Sequence, residues 1–127
     1  MNVAITIWND RVSPVCDSAR SLLLVNVKGG DVIQKHHQQF PDSSPICQVE
    51  ALLDLQVDVL ICGAITMPLA NVVEAQGIQI VPFVTGKVDQ VLEAFLNDGL
   101  RSGEFYMPGR TGNRRARFHR RRRGHFL

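Results

Sequence analysis

The chain has no apolar run approaching the roughly 20 residues that a bilayer-spanning helix needs, and it has only three cysteines in 127 residues. The first absence removes the membrane from the expected partners. Since the N-terminus opens directly into a strand-like pattern, a cytoplasmic location is the expectation. The second absence excludes a disulfide-stapled scaffold, because Cys16, Cys47 and Cys62 are odd in number and lie 31 and 15 residues apart. Such spacing is nothing like the CxxC pair of a zinc module. Nucleophile-elbow, phosphate-loop and dinucleotide fingerprints are missing too, and no nucleophile–base pair can be placed. The chain therefore reads as a binding protein with no catalytic residue, not as an enzyme.

Acidic residues are missing where basic ones crowd together. Residues 110–127 hold eight arginines and no acid, whereas residues 1–109 hold six Lys/Arg against all twelve Asp/Glu. The net charge of +2 thus averages an acidic body and a basic appendage and describes neither. With 45% apolar residues, the body is long enough for one core of its own. The expected organisation is a single domain over 1–105 followed by a disordered Arg-rich tail over 106–127.

What remains is patterned. VAITIW (3–8) is short and β-branched, as a strand should be, and Asn9-Asp10 and Ser13-Pro14 are turn signals after it. SLLLVNV (21–27), the turn Lys28-Gly29-Gly30-Asp31 and the polar VIQKHHQQF (32–40) read as a hairpin whose second strand lies at a sheet edge. Ser43 or Ser44 can cap a helix with Pro45 at its start and a face of Ile46, Val49, Leu52, Leu53 and Gln56. VDVLICG (57–63) is a strand of the kind buried on both faces. A helix over 67–77 ending at Gly77, a strand over 78–83 and a helix capped by Thr85 or Gly86 complete the order β-β-β-α-β-α-β-α. Two strand–helix–strand crossovers predict a mixed five-stranded α/β sheet covered by helices.

If the first strand pairs with the fourth, the loops near 9–19, 63–67 and 84–86 gather at the carboxyl ends of the parallel strands. That would bring Cys16 close to Cys62, and the Gly63–Ala64 turn would present backbone N–H groups to an anion or sulfide. Filling of core or loop is the competing reading for each cysteine, and a plain tight connection is the competing reading for the turn. His36 and His37 are neighbours on a strand and so face opposite sides; either suits a metal, or both are ordinary edge-strand polar residues. In the tail, Arg114, Arg115, Arg117, Arg120, Arg121, Arg122 and Arg123 could neutralise phosphates with strong salt dependence. Yet Phe118 and Phe126 are its only aromatics, no reading module accompanies them, and the acidic body would repel a polyanion. Nucleic acid is thus not the favoured partner; an acidic protein suits the tail better.

Three stretches taken together are more specific. AITIWNDRVSPVCDSAR, VDVLICGAITMPLANVVEAQGIQIVPFVTGKVDQVLEAFLNDGL and FYMPGRTGNRRARFHRRRR resemble the dinitrogenase iron-molybdenum cofactor biosynthesis family, small single-domain relatives of nitrogenase cofactor carriers. The resemblance implies a ribonuclease-H-like fold without nuclease carboxylates. It also implies carriage of an iron-sulfur or iron-molybdenum cluster precursor, with a metallocofactor-assembly partner. On this reading Cys16 and Cys62 are thiolate ligands, Gly63 and Ala64 donate to cluster sulfides, and His37 or His36 is the imidazole candidate. The chain departs from the family in carrying Arg110 where many small members have a cysteine, and Cys16 where an aromatic is commoner. The alternative is a polyanion-binding or protein-interaction module acting through the arginines.

Overall fold

The computed structural model describes residues 1–42 and 44–98. The expected tail and the expected boundary at 105 lie outside the described residues. In chain order the elements are β1 (Asn2–Trp8), β2 (Arg11–Val12), a 3-10 turn (Cys16–Ser18), β3 (Ser21–Lys28), β4 (Asp31–Gln39), α1 (Pro45–Asp54), β5 (Val59–Ile61), α2 (Met67–Ala75), β6 (Gln79–Val81) and α3 (Val88–Asp98). The path through the sheet is β4-β3-β1-β5-β6. β1, β5 and β6 run parallel, and β3 is antiparallel to both β1 and β4. This is a mixed α/β sheet that approximates the expected ribonuclease-H-like topology.

The sheet has six strands where five are expected. The extra one, β2, arises because Asn9 and Asp10 both adopt positive φ, 50° and 65°, and Trp8 pairs with Arg11 across them. Two left-handed residues in a two-residue loop make a hairpin turn whose twist matches the strands. Asn9-Asp10 is legible as a turn; a two-residue strand after it is too short to leave a pattern. Gly29 and Gly30 solve the same problem between β3 and β4 with φ of 61° and 84°.

Alternation along β1 divides the core into two layers. Val3 and Ile5 meet Leu23, Val25, Val59 and Ile61 on one face, under Val88, Val91 and Leu92 of α3. Ala4 turns the other way, to Leu22, Leu60 and Ile80, under Leu52 of α1 and Leu69 and Val73 of α2. Both faces being covered is what makes β5 an unbroken apolar run. Each such aliphatic side chain contributes about 1.5–3 kcal/mol on burial.

Local chemistry sets the helix ends. Ser44 caps α1 by accepting the Cys47 N–H at 3.2 Å, with Pro45 in the first turn. The Asp42 carboxylate accepts the Ser44 N–H at 2.7 Å, a bond that holds it below the usual carboxylate range. Gly77, at φ 87°, follows α2 as the terminal glycine. α3 starts at Val88, later than a cap at Thr85 or Gly86 would place it, because Lys87 is bridged to Arg11. The face expected on α1 is also corrected: its fully buried residues are Gln48 and Leu52, while Ile46 is 73% exposed. No described helix is long and apolar enough to cross a membrane.

Candidate functional site

Because β1 and β5 are parallel neighbours, the loops that leave their carboxyl ends run side by side. Cys16 N–H donates to Ala64 O at 2.7 Å, and Ala64 N–H donates to Pro14 O at 2.8 Å. The third loop joins them through Val12 N–H to Gly86 O at 3.0 Å, Phe83 N–H to Gly63 O at 2.9 Å and Val84 N–H to Cys62 O at 2.9 Å. The three loops expected to share one rim therefore do so. Gly63 is where they touch most closely: a Cβ there would overlap the carbonyl oxygens of Ser13 and Pro14. Its φ is ordinary, so the requirement is space and not backbone freedom.

Two side chains fasten this rim. The Asp17 carboxylate accepts both the N–H and the hydroxyl of Thr66, the residue that precedes α2. Asp17 lies in the short 3-10 turn yet closes the loop 49 residues further on. From below, the Gln48 Nε2 donates to the Cys16, Ala19 and Asp17 carbonyls at 2.8, 3.2 and 3.4 Å. Those bonds direct its Oε1 away from the turn. Gln48 Oε1 and Thr6 Oγ1 are buried without a hydrogen-bond partner among the described residues. Both line a small interior cavity of about 10 Å³ that Cys16 also borders.

Of the four candidate ligands, two lie on adjoining loops of the rim. Cys16 and Cys62 are thiols in one apolar cluster, 3% and 0% exposed. His36 and His37 are exposed on the edge strand β4. His37 is level with Leu23, Ile5 and Ile61, three strand spacings or about 14 Å from β5. Its neighbour His36 faces the other side, opposite Leu24, and its Nε2 lies 3.3 Å from Gln38 Oε1. Among the described residues no three His, Cys, Asp or Glu side chains converge as a metal site. The Ala64 N–H, expected to face a sulfide, is taken by Pro14 O in the closed rim. The seven tail arginines proposed for polyanions lie outside the described residues.

Residues 1–98 match the family model described as dinitrogenase iron-molybdenum cofactor. The chain belongs to that family. Solved structures share its fold at low identity. The crystal structure of a protein designated PH0822 aligns with a TM-score of 0.71 at 24% identity, over 76% of this chain and 90% of that one. A candidate dinitrogenase from Methanocaldococcus jannaschii gives 0.65 at 18%, over 78% and 90%. The apo form of the orange protein from Desulfovibrio gigas gives 0.67 at 17%, over 84% and 95%. The chain matches none of the curated proteins. For this iron-molybdenum cofactor family member, what sequence reading passes over are the contacts of Gln48 with the Cys16 turn and of Asp17 with Thr66. These pairings span 29–49 positions, and no local pattern marks such a contact.

Proposed function

We propose that this family member binds a preformed iron-sulfur or iron-molybdenum cluster precursor as cargo and carries it during metallocofactor assembly, without transforming it. The observation that supports the reading is the placement of Cys16 and Cys62 on adjoining loops of one rim, in a chain whose residues 1–98 match the cofactor family. Thiolates are the ordinary protein ligands of iron-sulfur clusters. His36 and His37 stand too far along the sheet to share the same cargo without moving a whole strand. The reading therefore assigns ligation to the two thiols.

Both thiols are covered, so loading requires the rim to part. The fastening is modest: two backbone bonds between residues 14–16 and Ala64, the exposed Asp17–Thr66 contact and the bonds of one Gln48 amide to the Cys16 turn. None belongs to the five-strand path of the sheet, so the Cys16 turn can lift while β1 and β5 stay paired. Parting the loops also frees the Ala64 N–H to donate to a bridging sulfide, a contact that tunes cluster potential. A carrier has reason to hold its ligands under a cover of this kind, because release is then governed by the same opening as uptake.

Anaerobic reconstitution with ferrous iron and sulfide tests this. The expected result is a stoichiometric chromophore by metal counting and absorption spectroscopy, lost in Cys16→Ser and in Cys62→Ser but kept in a His36→Ala/His37→Ala double variant. A folded wild type that acquires no chromophore overturns the proposal. Retention by both serine variants overturns the ligand assignment.

A further inference from the structure

The two helices that cover the Cys62 face leave an apolar strip of their own in the open. Ile46, Leu53, Met67 and Val72 are all exposed large hydrophobics. Ile46 and Val72 border a groove between α1 and α2 of about 300 Å³, lined also by Val49 and Pro68 with Asp17 and Glu50 among the walls. No basic side chain lines it. A groove of this volume is at the small end of ligand sites, enough for one anchoring side chain and its neighbours but not for a helix. Its chemistry asks for an aromatic or large aliphatic anchor flanked by cations.

The chain contains one segment of that description. Phe118 is set in Arg117-Phe118-His119-Arg120, with further arginines on either side. Phe126 has His125 and Leu127 beside it and lacks adjacent arginine. Phe118 follows the last described residue, Asp98, by 20 positions. That length of chain reaches up to about 70 Å, whereas a domain of this size is about 35 Å across. We propose that the α1–α2 groove is the docking site of the chain's own Arg-rich segment, with Phe118 as the anchor and the neighbouring arginines paired to Asp17 and Glu50. Tethering places the segment at an effective concentration on the order of millimolar, so a weak contact suffices. The inference is independent of what cargo the rim carries.

The test uses the full-length protein with labelled Ile, Leu and Val methyl groups. Nuclear Overhauser contacts are expected between the Phe118 ring and the methyls of Ile46 and Val72. Phe118→Ser should shift those methyls and leave the sheet amides unchanged, and the reciprocal Ile46→Lys, at an exposed position, should shift the Phe118 ring. Raising salt should weaken the contacts, because the flanking charge pairs are solvent-accessible. Absence of the contacts, or groove methyls unmoved by Phe118→Ser, overturns the proposal. Contacts seen only between chains in a mixed-label sample overturn it as well, since the groove would then serve a second copy.

Discussion

Gly63, Gln48 and Asp42 each do one identifiable thing at their positions. Gly63 leaves room for the Ser13 and Pro14 carbonyls, so Gly63→Ala must push backbone apart. The expected loss is about 2 kcal/mol or more, read from urea denaturation, as for overpacking of a rigid core. Gln48→Leu strips the donor from buried carbonyls of the Cys16 turn. A loss of about 1–3 kcal/mol is expected, with faster amide exchange over residues 15–19 and faster alkylation of Cys16. A Cys16 no more reactive than in wild type would mean that Gln48 does not hold the turn. Asp42 titrates below the ordinary carboxylate range because the Ser44 N–H bonds its charged form. That contact is fully present above the unfolded-state value and is lost as pH falls through the lowered folded-state value. The Ser44 amide shift should therefore titrate with a midpoint below that of an unfolded control. In the sequence Gln48 looks like any polar helix residue, and its role is visible only when α1 is laid over the turn.

Elements were more legible than their covering. Every long strand and helix follows from apolar period and turn residues, and the β3–β4 hairpin follows from Lys28-Gly29-Gly30-Asp31. Periodicity marks which side of a helix is apolar, but it cannot say whether another element lies over that side. Hence Ile46 and Leu53 look like core residues of α1 and are both found exposed, Ile46 at the groove. The hairpin between β1 and β2 carries a prediction at this scale. Asp10 sits at φ 65°, where glycine is the preferred second residue of such a turn. Asp10→Gly should raise stability by about 0.5–1 kcal/mol in thermal or urea unfolding. Its backbone carbonyl would still accept the Val88 N–H at the start of α3.

For the molecule as a whole, the opposition of an acidic body to a basic end is the feature with the longest reach. It predicts that the full chain elutes earlier from a cation-exchange column when residues 110–127 are removed, and that an intramolecular partner for those arginines reduces the difference. The rim was legible at this scale because parallel pairing of β1 with β5 brings their following loops together. The cover over the two thiols was not, because it depends on Asp17 and Thr66 meeting across 49 residues. At the far end of the sheet from that cover stand Gly29 and Gly30, with nothing within 4 Å of where a side chain would begin. An epitope or a fluorescent reporter spliced into that tip would ride on the protein without pressing on the rim, so the protein's whereabouts and companions could be watched in a living cell.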